Sequence, residues 1–268
     1  MKEKVDILGY IKTALSLKKY KFMMIQLVKR DIKVRYRGSL LGILWSVLNP
    51  LINMFVLSFV FSKVFNAVDN YRMYLLSGLV LFNYFNEAST LALGSVVSNF
   101  SLLTKIYFPK YILPLSKIVS SGINLLMSLL AFMIIGLLMG IPIWWGDLLI
   151  PYVVVCLMMF TAGVGIILAA LQVFMRDVQY LYGIVLTIWM YATPILYPLT
   201  DEVIPAAFIP IMKLNPMYVF INFFRKLALD AMIPSGMEFV QCAAWGAGAL
   251  LVGLLIFKKT QNNFIYYT

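Results

Sequence analysis

The chain has 268 residues, of which 62% are hydrophobic and 12% charged, with a formal net charge of +11. Soluble domains carry about 25% charged residues, so a single water-soluble globule is excluded. The composition predicts an all-α integral membrane protein, long enough for roughly six spans of about 20 residues. There is no His, and Cys156 and Cys242 both fall in apolar segments, which excludes a His-built metal site and a disulfide framework.

Residues 1–38 read as a cytoplasmic interface segment and residues 39–268 as one transmembrane domain. The first 37 residues hold 11 Lys and Arg and no apolar run of signal-peptide length. Lys29, Arg30, Lys33, Arg35 and Arg37 crowd the end of this segment. Phe22, Ile25, Val28, Ile32 and Tyr36 recur at steps of three and four, one stripe of an amphipathic helix. Such a helix can lie in the headgroup plane with its basic side towards phosphates. The same charges also serve as a positive-inside topology signal.

Six spans are expected, over about Leu40–Ser62, Met73–Val97, Leu113–Gly140, Leu148–Val173, Tyr180–Ile195 and Phe239–Phe257. The Pro-rich stretch 196–236 is too broken for a clean span and predicts short re-entrant or interfacial helices. With both termini inside, the cytoplasmic pieces hold 17 of the 22 basic residues. The positive-inside rule therefore favours cytoplasmic termini.

Glu87 lies in the middle of the second span, with Asn83 one turn earlier and Asn86 beside it. A carboxylate at that depth needs a cavity, a partner or a proton. It reads either as pathway lining or as a structural hydrogen bond within the bundle. The aromatic residues of spans two and five read as packing and interfacial belts, or as rings lining a conduit for sugars; Tyr84, Phe85 and Trp189 are the candidates.

Between spans two and three, FSLLTKIYFPKYILP carries much apolar surface for a cytoplasmic turn, with Pro109 and Pro114 interrupting it. Leu102, Leu103, Lys105, Ile106, Tyr107, Phe108, Pro109 and Lys110 are candidates for contact with a partner protein. Folding back into the headgroup layer is the other reading. The sequence has no P-loop, no His-containing metal motif and no nucleophile elbow. GAGALLVG, residues 246–253, lies inside a span and reads as small residues for close helix packing.

Four stretches resemble the ABC-2 type membrane subunits (permeases) of bacterial polysaccharide exporters, such as the O-antigen and teichoic acid permeases. They are YRGSLLGILWSVLNPL after the basic helix, LLTKIYFPKYILPL, VFMRDVQYLYGIVLTIWMYATPILYP and KLNPMYVFINFFR, in the same order. The resemblance covers roughly residues 20–260. It implies a homodimer in the bacterial cytoplasmic membrane, with two separate ATPase subunits that bind the ATP and Mg. The substrate it implies is a glycan on an undecaprenyl-type pyrophosphate. The chain itself would be no enzyme and would bind no cofactor and no nucleic acid. Residues 102–111 correspond to the family's coupling helix. The basic helix ending at Arg37 corresponds to its interface helix, next to anionic lipid phosphates. Residues 200–232 correspond to its outward-side short helices.

Three rivals stay open. An enzyme acting on lipid-linked sugars would need acid/base groups near a membrane face, where Asp201 and Glu202 are adjacent but form no separated pair. A gradient-driven secondary transporter would use Glu87 as a proton relay. An ABC-2 exporter of a drug or simple lipid is the nearest alternative.

Overall fold

The computed structural model describes residues 20–61, 70–105, 108–199, 205 and 208–266. Every regular element among them is helical. In chain order the α-helices are α1 (Lys21–Arg35), α2 (Trp45–Phe61), α3 (Tyr71–Leu93), α4 (Ser95–Ser98), α5 (Phe100–Lys105), α6 (Ile112–Leu138), α7 (Ile150–Phe174), α8 (Val178–Tyr191), α9 (Ile209–Lys213), α10 (Pro216–Ala228) and α11 (Gly236–Thr260). Short 3-10 turns lead into α2 and α7 and follow α11.

Four segments among the described residues are long and apolar enough to cross a bilayer: Gly42–Phe61, Ile112–Leu138, Trp145–Phe174 and Gly236–Phe264. They coincide with expected spans one, three, four and six. Expected span two forms α3, whose 23 residues suffice in length; Asn83, Asn86 and Glu87 lower its hydropathy. Expected span five forms only the 14 residues of α8. The six expected spans thus become four that meet both tests.

The core is built around α7, which packs against α11, α3, α6 and α10. Its contact with α11 is a backbone contact. A Cβ added to Gly163 would stand 2.2 Å from the Ala249 carbonyl, one on Gly253 2.5 Å from the Gly163 oxygen, and one on Gly246 2.7 Å from the Cys156 oxygen. Gly246 and Gly253 of the GAGALLVG run therefore face α7, and small residues let the two helices approach. Gly248, on the other side, has nothing within 4 Å of its notional Cβ.

Prolines sit where helices tolerate them. Pro151 and Pro216 occupy the first turns of α7 and α10, where the missing donor has no intrahelical partner in any case. Pro114 likewise falls in the first turn of α6, so it opens that helix rather than interrupting it. Gly38 takes a φ of +77°, which turns the chain from α1 towards α2.

Large apolar side chains also cover the outside. Phe55, Phe59, Leu130, Leu138, Ile184, Ile188 and Val240 are all exposed, as expected of helices facing lipid or a second subunit. By contrast α10 is largely buried, including Phe220, Phe224 and Arg225. This part of the expected interfacial stretch is packed into the body beside α3 and α7. Asp201 and Glu202 lie outside the described residues.

Candidate functional site

Three neighbouring helices, α2, α3 and α6, carry polar residues at helical spacing on one face each. Asn49 and Asn53 lie one turn apart on α2; Asn83, Glu87 and Thr90 recur on α3; Ser121, Asn124 and Ser128 recur on α6. Folding brings these stripes together around a cavity of about 600 Å³, with Trp45, Ser46, Tyr84 and Asn86 completing much of its wall. The size is that of a ligand pocket. Asn49, Asn53, Asn86 and Thr90 are exposed, so the cavity is accessible along its α2 and α3 walls. The Tyr84 hydroxyl is buried and has no hydrogen-bond partner.

One charge is closed off at this cavity. Arg35, in the last turn of α1, forms an ion pair with Glu87 through Nη1 and Oε1. The same Glu87 oxygen accepts from Ser121 Oγ at 3.0 Å and from Asn124 Nδ2 at 3.1 Å. Tyr36 Oη donates to Asn124 Oδ1 at 2.8 Å. The mid-span carboxylate is therefore satisfied by a residue that the sequence assigns to the headgroup interface. Deeper along α1, Lys117 of α6 pairs with Asp31 at 2.9 Å, and Arg30 donates to Asn99 at 2.9 Å.

These contacts explain the orientation of α1. Leu27 and Val28 are buried, while Phe22 is 75% exposed and Ile25 and Val34 also face outwards. The packed face runs through Leu27, Val28, Asp31, Arg35 and Tyr36. It includes two charged residues beside Val28 and Tyr36 of the expected apolar stripe, whereas Phe22 and Ile25 of that stripe face outwards. Lys29, Lys33 and Arg37 are exposed and make no ion pair among the described residues. Arg30 is exposed as well, whereas Arg35 is partly covered by its partners.

The turn between α5 and α6 divides into covered and open residues. Phe108 is buried in a cluster with Leu27, Tyr111, Ile166, Phe257 and Phe264. Lys110 donates to the Gln261 carbonyl at 2.8 Å and lies over the Phe264 ring. Burial lowers its ammonium pKa from the ordinary value. Leu102, Leu103 and Pro109 are partly covered and Lys105 is exposed. Ile106 and Tyr107 lie outside the described residues. The accessible part of the turn is thus the end of α5, while Phe108 anchors it to the body.

The four conduit candidates separate into two places. Tyr84 and Glu87 line the cavity. Phe85 is fully buried against Phe82, Phe160 and Trp189 on another side of α3. Trp189 donates from Nε1 to Asn215 Oδ1 at 2.9 Å. Asn215 also caps α10 by accepting from the Met217 N–H, and its amide donates to Thr193 Oγ1 at 2.9 Å.

Beside this cluster sits a buried cation without a carboxylate. Arg225 is 6% exposed. It donates to Ser77 Oγ and to the carbonyls of Pro194 and Tyr74, and its guanidinium lies 3.5 Å from the centre of the Tyr74 ring. Tyr71 and Tyr74 donate in turn to the carbonyls of Leu196 and Tyr197. The bend after α8 is thereby clamped to α3. Arg225, counted among outer loop charges from sequence, is an interior residue.

Sequence reasoning found Glu87, Asn83 and Asn86 but missed Asn49, Asn53, Ser121 and Asn124. The signal was present as polar residues three or four apart within apolar spans. What the sequence could not give was which of these faces meet. Among the described residues no group of three or more metal-ligating side chains comes together. The arrangement suits recognition and passage of a polar ligand through a helical body.

Comparison with known proteins accords with this. Over 255 residues the chain is 31% identical to the O-antigen export system permease protein RfbA of Myxococcus xanthus, covering 95% of this chain and 98% of that protein. It is 30% identical to an RfbA of Klebsiella pneumoniae over 90% of this chain and 93% of the relative. The polysialic acid transport protein KpsM of Escherichia coli is 21% identical over 88% of this chain and 92% of its own length. The ABC-2 type transporter model matches residues 24–229, a stretch running from α1 through α10, and this multi-pass membrane chain therefore belongs to the ABC-2 type transporter family.

Proposed function

We propose that the chain is the transmembrane subunit of an ATP-driven exporter that moves a lipid-linked surface polysaccharide across the bacterial cytoplasmic membrane. The observation that carries this reading is the match to O-antigen export permeases over 95% of the chain. The chain contains no P-loop, so the reading assigns ATP and Mg to a separate ATPase, two copies of which serve a homodimer of this subunit. Glycan export also accords with the polar cavity, since an exporter of apolar drugs or simple lipids would not need its amides.

In this reading α3 and α8 complete a six-span topology with both termini in the cytoplasm. The end of α5, with Leu102, Leu103 and Lys105, receives the ATPase. Lys29, Lys33 and Arg37, which are exposed on α1, attract the phosphates of anionic lipids and of the undecaprenyl-type carrier. Arg35 serves chiefly as the partner of Glu87.

Co-expression of the chain with the ATPase encoded beside it tests the function. A stable complex that hydrolyses ATP and restores surface glycan to a permease-deleted host is expected. Failure to associate with any such ATPase, or normal complex formation without glycan at the surface, would overturn the reading.

A further inference from the structure

Amides inside a membrane body need partners, because hydrocarbon offers none. Asn49, Asn53 and Asn83 line the cavity between α2, α3 and α6, and none of their side chains hydrogen-bonds within the described residues. Three amide side chains without partners among the described residues, around one space of about 600 Å³, call for an occupant that hydrogen-bonds.

The charge pattern narrows the occupant. Glu87 is the one ionisable carboxylate in the wall, and Arg35 neutralises it. A cation would find that carboxylate already engaged, and an anion would find no Lys or Arg in the wall. An apolar occupant would leave the amides unsatisfied. Each amide offers both a donor and an acceptor, which matches the hydroxyls of a neutral sugar. Trp45, 42% exposed, adds a flat apolar face at the same wall. The aromatic cluster of Phe85, Phe160 and Trp189 lacks these properties, since Phe85 is fully buried and the rings pack against one another.

We propose that this cavity is a carbohydrate-binding site within the transmembrane body, where Asn49, Asn53 and Asn83 hydrogen-bond to sugar hydroxyls. The Arg35–Glu87 pair leaves its wall without an uncommitted charge. This inference rests on the glycan-export reading and specifies where in the subunit the sugar is held.

The test uses the full chain in complex with its ATPase, reconstituted in nanodiscs, with Thr90→Cys as reporter. Thr90 is exposed at the cavity wall, while the native Cys156 and Cys242 are both buried. A charged methanethiosulfonate reagent labels the reporter in the presence of two lipid extracts from the glycan-producing host. One extract is intact. The other has been treated with mild acid and washed, which removes the sugar and keeps the carrier lipid. The intact extract is expected to slow labelling at least fivefold, the treated one not at all, and adding Asn49→Leu and Asn83→Leu should abolish the protection. Equal protection by both extracts would assign the cavity to lipid, and protection by neither would assign it to water; each result overturns the site. The export reading is scored separately, by surface glycan and ATP hydrolysis with the unmodified chain. If those fail, the ligand class fails with them.

Discussion

Breaking the contact between Arg35 and Glu87 should loosen α1 from the bundle by an amount the structure bounds. Two unit charges about 4 Å apart attract by about 4 kcal/mol at an effective dielectric of about 20. The side chains retain 24% and 40% of their exposure, and fully exposed pairs contribute at most about 1 kcal/mol. The pair therefore falls between these limits, at about 1–2 kcal/mol of coupling, a factor of roughly 5–30 in an equilibrium constant. A double-mutant cycle with Arg35→Met and Glu87→Gln measures that coupling directly by equilibrium unfolding in mixed micelles followed by circular dichroism. Glu87→Gln keeps an oxygen for the Ser121 and Asn124 donors, so its loss reports the charge rather than the hydrogen bonds. Trypsin should cut α1 faster in each single variant, and the exchange Arg35→Glu with Glu87→Arg should recover part of the protection. Strict additivity, with coupling below about 0.3 kcal/mol, would refute the assignment of Arg35 as the partner of Glu87.

Three further outcomes are expected. Gly253→Ala drives a Cβ to 2.5 Å from the Gly163 oxygen and should destabilise by about 1–3 kcal/mol; Gly248→Ala, with open space around it, should leave the unfolding midpoint unchanged or raise it slightly. Arg225→Met strips donors from Ser77 and from the Pro194 and Tyr74 carbonyls and should cost about 2–4 kcal/mol, read as a lowered unfolding midpoint and faster proteolysis at the bend after α8. Phe108→Ala should cost about 3–5 kcal/mol of stability, whereas Lys105→Glu should weaken binding of the ATPase in a pull-down without moving the unfolding midpoint.

Sequence periodicity located the helices well where a single environment surrounds them. The apolar runs over Leu113–Gly140 and Leu148–Val173 became α6 and α7 because nearly every residue there suits either lipid or a neighbouring helix. It failed where charges turn inward. The stripe through Phe22, Ile25, Val28, Ile32 and Tyr36 reads as a membrane-facing side with the basic residues turned to phosphates, yet the packed face of α1 takes in Asp31 and Arg35. Their partners, Lys117 and Glu87, are far away in sequence, and no local pattern announces such pairs. Arg225 misled in the same way: its guanidinium is held by distant carbonyls and a tyrosine ring, which no sequence pattern announces. Glu87 was recognisable as a residue in need of an explanation, while the cavity beside it required knowing which faces of three helices converge.

The seam between α7 and α11 restricts how this subunit can change shape. Where side chains interdigitate, two helices can shift by exchanging rotamers; here backbone lies on backbone at Gly163, Gly246 and Gly253, and nothing is available to rearrange. Sliding would drive the neighbouring larger residues into the opposing chain. The two helices must therefore travel as a single strut. The cluster holding Phe108, Phe257 and Phe264 fastens the turn between α5 and α6 to the foot of that strut. A push delivered there reaches the far end of the pair without being absorbed on the way. Any change of shape must then come from elements without such backbone contact, α2 and the cavity wall it forms among them.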